Sequence, residues 1–165
     1  MKSTYPLCIA AFGLWSLLAC KPTVSVETKA STETTASITY DSLLTQKLGA
    51  DPYGMKHYVM AFLKAGPNRD QDSVTAAQLQ KAHMDNIMRM ADEGKLVVAG
   101  PFEDGGELRG IYVFNVATLE EARALTETDP AVKAGRLIME LHPWYGSAAL
   151  MQVNETHKRL SKKQF

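Results

Sequence analysis

Cysteine is almost absent from this chain, and neither sign of charge is in excess. The two cysteines, Cys8 and Cys20, both lie within the first 20 residues. The rest of the chain therefore has no residue for a disulfide, a thiolate nucleophile or a cysteine-based metal site. There are 18 basic and 18 acidic side chains. This balance argues against a nucleic-acid binder, which needs clustered lysine and arginine to neutralise phosphates.

The composition is that of one folded domain preceded by an export signal. The chain has 165 residues, of which 45% are apolar and 22% charged. It is too apolar for a disordered protein and long enough to bury one core. Residues 7–19 (LCIAAFGLWSLLA) are uncharged and strongly apolar. This run has the length of a signal-peptide core and is too short to span a membrane.

The apolar run ends at a cysteine. The tetrapeptide Leu17-Leu18-Ala19-Cys20 resembles the bacterial lipobox, in which the cysteine is acylated and becomes the mature N-terminus. The alternative is an ordinary signal peptide with Cys20 at its end. We expect a lipoprotein signal peptide over residues 1–19. The lipid on Cys20 would then anchor the protein in the bacterial cell envelope, at the periplasmic face of the outer membrane.

Residues 20–39 follow the signal and predict a disordered tether. From Lys21 to Thr39 they are rich in threonine, serine, alanine and glutamate, and they contain no large aromatic side chain. Such a segment buries too little apolar surface to offset its ordering entropy. The folded domain is therefore expected to comprise residues 40–165, with its core at 55–146.

The pattern of this domain predicts an α+β fold of the ferredoxin-like type. Strands are indicated at 56–63, 95–99, 110–116 and 136–142, and helices at 75–93 and from 118 to about 128. The resulting order, β-α-β-β-α-β, is that of a ferredoxin-like plait. A short helix at 42–48 precedes this unit. A C-terminal helix follows, capped by Ser147 and carrying the basic residues Lys158, Arg159, Lys162 and Lys163.

Two of the predicted strands are apolar on both faces. In 110–116, Ile111 and Val113 alternate with aromatic and aliphatic neighbours, and 56–63 shows the same pattern. A sheet with one face in water should alternate apolar and polar residues. Because two helices cover only one face, we expect a second copy of the sheet to cover the other in a homodimer.

His83 interrupts the apolar stripe of the long helix. Positions 76, 79, 83, 87 and 90 lie on one helical face and are otherwise apolar. A buried imidazole must find a hydrogen-bond partner. It is either a structural histidine bound to backbone or a general base beside a cavity.

Asp129 precedes Pro130, a pair that is typical of a helix start. Taken alone, the pair favours a capping role. A carboxylate bound to one imidazole nitrogen would instead fix the tautomer of His83 and raise the basicity of its other nitrogen. Their separation in sequence does not show whether the two residues meet.

The other polar candidates favour simpler interpretations. The spacing of the remaining histidines matches no metal site, and we expect neither a metal nor a cofactor. Gly105-Gly106 is a turn, since no strand precedes it and no helix follows it in the manner of a phosphate loop. Trp144 and Tyr145 either line a pocket or seal the end of the sheet. The remaining histidines are His57, His142 and His157.

From the first strand to Trp144, the sequence resembles the YCII-related (YciI-like) family over about 90 residues. The similarity is carried by the lone helical histidine, by Ala99-Gly100-Pro101-Phe102 and by the segment from Asp129 to Gly135. It implies a dimeric α/β barrel of ferredoxin-like units with His83 and Asp129 paired in a pocket. That fold group includes muconolactone isomerases and cofactor-independent monooxygenases, and one family relative removes chloride from a chlorinated hydroxyhydroquinone.

Two functional hypotheses follow from this resemblance. In the first, the protein is a cofactor-free lyase or isomerase acting on a small aromatic or enolisable substrate. His83 would abstract a proton, and Asp129 would orient the imidazole of His83. The pocket would be shaped by Gly100, Pro101, Phe102 and Trp144. In the second, it is a non-catalytic, membrane-anchored module that binds a small ligand or assembles with other proteins.

Overall fold

A computed structural model describes residues 39–163 of the chain. The predicted signal peptide, the predicted acylation site Cys20 and all but the last residue of the predicted tether lie outside the described residues. Among residues 39–163, no helix is both long enough and apolar enough to cross a bilayer.

The described residues form an α+β domain in which the predicted β-α-β-β-α-β order is confirmed. A short helix precedes this unit, and a 3-10 helix followed by an α-helix ends it. The strands are β1 (Met55–Ala65), β2 (Leu96–Pro101), β3 (Leu108–Phe114) and β4 (Leu137–Ser147). The helices are α1 (Ser42–Leu48), α2 (Ser73–Asp92), α3 (Leu119–Thr126), α4 (Pro130–Lys133) and α5 (Val153–Leu160), with the 3-10 helix at Ala148–Gln152.

The four strands form one antiparallel sheet in the order β2-β3-β1-β4. This is the strand order of a ferredoxin-like plait, so the predicted fold class is confirmed. β2 and β4 are the edge strands. The main core lies between the sheet and the helices, where Met90 of α2 and Ala122 of α3 are fully buried against Phe114 and Ala61.

The opposite face of the sheet carries a second apolar cluster. Tyr58, Val97 and Val113 are buried there, and Leu150 and Met151 of the 3-10 helix pack against them. The C-terminal segment thus covers part of the face that we expected a second copy to cover. Elsewhere on this face Ile138 remains 50% exposed.

The ends of several elements differ from the sequence prediction. α2 begins at Ser73 and not at Thr75, because Asp72 caps it by accepting the N–H groups of Val74 and Thr75. The C-terminal helix splits at Gln152, so Ser147 caps the 3-10 helix, and α5 ends at Leu160, before Lys162 and Lys163.

Two prolines proved compatible with the edge strands. β2 continues through Gly100 and Pro101, which were expected to form a turn, and β4 continues past Pro143 to Ser147. An edge strand has an unpaired side, so a residue without an N–H group is tolerated there. The start of α3, by contrast, lies where the sequence predicts it, because Thr118 and Glu121 form a capping box there.

Candidate active site

His83 lies on the face of α2 that packs toward the sheet. Its side chain is 10% exposed. On the same face, Ile87 one turn later packs against the main core, and Met90 two turns later belongs to it. The stripe in the sequence therefore corresponds to a buried helix face. His83 is held at the boundary between this core and a cavity.

Asp129 is presented to His83 by the start of α4. Its Oδ1 accepts the N–H of Ala131 at 2.8 Å, which is the capping role typical of an Asp-Pro pair. Asp129 is fully buried. Because one oxygen is used by the cap, the other oxygen is free to bind a second donor.

That second donor is His83. Its Nδ1 lies 2.6 Å from Oδ2 of Asp129, in a buried contact between residues 46 positions apart. An ionised carboxylate only accepts hydrogen bonds, so Nδ1 must carry the proton. In the neutral ring Nε2 is then the basic nitrogen. The structure brings together the two residues to which the sequence assigned catalysis, and that assignment stays a prediction.

The hydroxyl of Tyr112 lies next to the basic nitrogen. Tyr112 on β3 is 2% exposed, and its hydroxyl oxygen lies 3.4 Å from Nε2 of His83. Burial and the negative charge of Asp129 raise the pKa of Tyr112 above its ordinary value. The hydroxyl therefore stays protonated, and it has a proton to donate to an oxygen that enters the site.

Asn86 ties α2 to the turn that carries Asp129. Its Oδ1 accepts hydrogen bonds from the hydroxyl of Thr128 at 3.1 Å and from Arg89 at 2.9 Å. Its buried Nδ2 has no hydrogen-bond partner among residues 39–163. Since Thr128 directly precedes Asp129, this bond helps to hold the carboxylate against His83.

A cavity of about 850 Å³ opens between α2 and the edge strand β2. His83 and Tyr112 line it, together with Gly100, Pro101 and apolar side chains of α2 and the sheet. Volumes of this order suit small organic ligands. The Asp129–His83–Tyr112 chain thus ends at a space that a small substrate could enter.

Two of the predicted pocket residues lie elsewhere. Phe102 follows the end of β2, is 43% exposed, and is not among the residues that line the cavity. Trp144 faces the other side of the sheet, where it pairs with Tyr58 and joins the second apolar cluster. Side chains alternate between the two faces along a strand. Since Leu141 of β4 packs on the helix side, Trp144, which is an odd number of residues further along, faces the opposite side.

Tyr112 and Asn86 were not predicted from the sequence as parts of the site. Tyr112 is one of the aromatic residues that alternate with Ile111 and Val113 in the predicted strand, and nothing in the sequence separates it from an ordinary core aromatic. Asn86 carries a clearer signal, because it is a polar residue one turn after His83 on a face that is otherwise apolar. Arg69 and Arg136, which also line the cavity, lie in loops whose contacts the sequence does not reveal.

The histidines away from the site do not gather into a metal centre. His57 packs on Tyr145, and His142 binds Glu140 at 2.8 Å. Within residues 39–163, no three histidine, cysteine, aspartate or glutamate side chains are placed to hold a metal ion.

Comparison with known proteins gives a family and a structural neighbour. The YCII-related domain matches residues 58–145. The structure of 5-chloro-2-hydroxyhydroquinone dehydrochlorinase from Burkholderia phenoliruptrix AC1100, in complex with 2,5-dihydroxybenzoquinone, is similar at a TM-score of 0.41 and 18% identity. That similarity covers 54% of this chain and 93% of the other. No curated protein matches. Because the matched domain spans more than half of the chain and includes both His83 and Asp129, the chain belongs to the YCII-related domain family.

Proposed function

We propose that this protein is a cofactor-independent lyase or isomerase in which His83 is the general base. The observation that carries the proposal is the 2.6 Å contact between Nδ1 of His83 and Oδ2 of Asp129. It leaves Nε2 as a proton acceptor at the wall of a cavity large enough for a small aromatic or enolisable compound.

In the proposed reaction, Nε2 removes a proton from a carbon or hydroxyl of the substrate. The imidazolium that forms is stabilised by the buried carboxylate of Asp129, which is already hydrogen-bonded to Nδ1. The electron pair left on the substrate moves toward a carbonyl oxygen. The proton then returns to a different atom in an isomerase, or a leaving group departs in a lyase.

Tyr112 is suited to stabilise the oxyanion formed in this step. Its hydroxyl lies 3.4 Å from Nε2, so one substrate could contact both groups. Because burial keeps the phenol protonated, it donates a hydrogen bond where negative charge develops. Base and donor thus flank the same point of the cavity.

The experiment is proton exchange in D₂O with a panel of enolisable ketones, lactones and chlorinated hydroquinones. NMR would follow deuterium incorporation, double-bond migration and chloride release. The informative variant is His83→Asn, because its amide can still donate to Asp129 but cannot act as a base. We expect turnover to fall about 10²–10⁴-fold, while the melting temperature changes little.

His142→Ala is the matched control, because His142 is half-exposed and lies outside the cavity lining. It should leave turnover unchanged. Equal turnover of wild type and His83→Asn on a substrate would overturn the proposal. If no panel member reacts but some bind equally well to both proteins, the alternative of a non-catalytic binding module is favoured.

We further propose that the domain works in the bacterial envelope as a lipid-anchored homodimer. The anchor is supported by the lipobox-like Leu17-Leu18-Ala19-Cys20. The dimer is supported by the apolar second face of the sheet, which the C-terminal segment covers in part and where Ile138 is half-exposed. Soluble monomers rarely leave large apolar patches exposed.

A further inference from the structure

Arginine side chains around the His83 cavity have no carboxylate partners. Arg69, Arg109 and Arg136 all line the cavity. Within residues 39–163, their hydrogen bonds go to backbone carbonyls and to the amide of Gln71, and none of the three forms an ion pair. A guanidinium stays charged at any physiological pH. The cavity wall therefore carries positive charge that these neighbours do not neutralise.

The acids near the cavity are already engaged. Asp129 is fully buried and bound to His83, and Asp92, which also lines the cavity, is paired with Lys158 at 2.9 Å. Neither carboxylate is hydrogen-bonded to an arginine of the cavity. A negative group on a ligand would thus find unused donors there.

Arg69 and Arg136 are brought together by two loops in close contact. The N–H of Gly66 donates to the carbonyl of Arg136 at 2.8 Å. A Cβ at Gly66 would lie 2.1 Å from the carbonyl oxygen of Gly135, so only glycine allows this approach. Nη1 of Arg69 then donates to the carbonyl of Arg136 at 3.3 Å. The two side chains therefore start from adjoining points of the backbone.

Each of these guanidiniums has donors to spare. A guanidinium carries five N–H donors in a planar fork. Nη1 of Arg136 binds Oε1 of Gln71, and no other acceptor contacts this side chain within residues 39–163. From β3, Arg109 adds a buried Nε that has no hydrogen-bond partner in the described part of the chain.

We propose that this cavity binds a small organic acid whose carboxylate is held by Arg69 and Arg136. The inference rests on the proposed function and names the class of its substrate. Planar guanidiniums bind planar carboxylates through paired, charge-assisted hydrogen bonds. The cavity is also lined by apolar side chains, with Leu63 and Leu137 at the sheet and Ile87 on α2. An acid anchored at the arginines would rest its carbon skeleton on these residues and expose it to Nε2 of His83.

The test compares two probes that differ in one group, 3-hydroxybenzoate and 3-hydroxybenzamide. Binding to the whole protein would be measured by ligand-observed NMR and by calorimetry. We expect the acid to bind about tenfold more tightly than the neutral amide. Its affinity should fall as salt is raised from 20 to 500 mM, whereas that of the amide should not.

The variants Arg136→Gln and Arg69→Gln remove the charge but keep the backbone bonds between the loops. Each should weaken binding of the acid about tenfold and leave binding of the amide unchanged. Arg123→Gln is the matched control, since Arg123 is exposed on α3 and does not line the cavity. Arg69→Gln also covers the case in which Arg136→Gln fails to fold, because Arg69 is exposed.

Equal binding of acid and amide to the wild-type protein, or loss of both probes together in a variant that still folds, would overturn the carboxylate site. This outcome is separate from failure of the proposed function. In His83→Asn the acid should still bind with its full preference over the amide, whether or not any substrate is turned over.

Discussion

Asp129 uses its two carboxylate oxygens for two different partners. Oδ1 accepts a hydrogen bond from the N–H of Ala131 at 2.8 Å and so caps the start of α4. Oδ2 accepts a hydrogen bond from Nδ1–H of His83, at a distance of 2.6 Å between the heavy atoms. Capping and pairing were competing interpretations of the sequence, and the structure contains both. The backbone bond fixes the orientation of the carboxyl group, and this fixes the oxygen that meets the imidazole.

Replacing Asp129 by Asn should reverse the tautomer of His83. The Asn oxygen would keep the N–H of Ala131, so its amide nitrogen would face Nδ1 and donate to it. The ring proton would then move to Nε2, which could no longer accept a proton from substrate. We expect turnover to fall about 10²–10⁴-fold, and the free energy of unfolding to fall by roughly 1–3 kcal/mol.

Nitrogen-15 chemical shifts of the histidine rings would show this reversal directly. Asp85→Asn is the control, because Asp85 is exposed and pairs with Lys81 on the surface of α2. An unchanged ring tautomer in Asp129→Asn would contradict the prediction, even if the variant were inactive.

Removing the hydroxyl of Tyr112 should separate oxyanion stabilisation from base catalysis. In Tyr112→Phe the buried ring remains, and only a long contact of 3.4 Å to His83 is lost. We expect kcat to fall about 10²-fold, which is the usual effect of losing one oxyanion donor. KM should change little. A kcat within twofold of wild type would show that Tyr112 is only a core residue.

The same variant should alter the stability of the protein at high pH. The pKa of Tyr112 is raised in the folded state, so its stabilising contribution is complete below about pH 10 and is lost as the pH rises further. Above that pH the unfolded state loses the proton while the folded state keeps it, and each such tyrosine lowers the free energy of unfolding by about 1.4 kcal/mol per pH unit.

Denaturant unfolding between pH 9 and pH 11 measures this slope. Tyr112→Phe should show a shallower decline than wild type. Tyr58→Phe is the comparison, because burial raises the pKa of Tyr58 too, although it lies on the other face of the sheet. Identical slopes in wild type and Tyr112→Phe would show that ionisation of Tyr112 does not contribute to the loss of stability at high pH.

The element order and His83 were predictable because each follows from a local pattern. Helix and strand periodicity place residues on faces, and a histidine inside an apolar stripe is conspicuous in one helix turn. The caps at Asp41 and Thr118 also depend only on neighbouring residues. For such features the sequence contains nearly all the information that the structure uses.

The meeting of His83 with Asp129 was not predictable from periodicity, because it depends on how α2 packs against the α4 turn. It was suggested only by resemblance to a family. The position of Trp144 was also not predicted correctly from the sequence. The predicted strand stopped at His142, so the alternation of faces through Pro143 was not followed. Trp144 was expected to line the pocket or to seal the end of the sheet, and it packs against Tyr58 on the face opposite the helices.

If Cys20 is the acylated N-terminus, the protein from a bacterial host should be found in the membrane fraction. Intact mass spectrometry should give a chain that begins at Cys20 and carries acyl groups. Cys20→Ser should release the protein without changing the melting temperature of the domain, since the domain's core lies after residue 54. Cys8→Ser is the control and should remain membrane-bound. An unmodified Cys20 or cleavage at another bond would disprove the anchor.

The second face of the sheet is expected to form the interface of a homodimer. A chain that begins at Thr39 should have twice its monomer mass by light scattering at micromolar concentration, because the C-terminal segment leaves Ile138 half-exposed on this face. Ile138→Glu should shift the protein to monomer, since burying a carboxylate in an apolar interface is costly. Val74→Glu is the matched control: Val74 is an apolar residue 65% exposed near the start of α2, away from this face, and the change should leave the mass unchanged. If the wild-type protein is a monomer at every concentration, Leu150 and Met151 shield the second apolar cluster from water without a partner subunit.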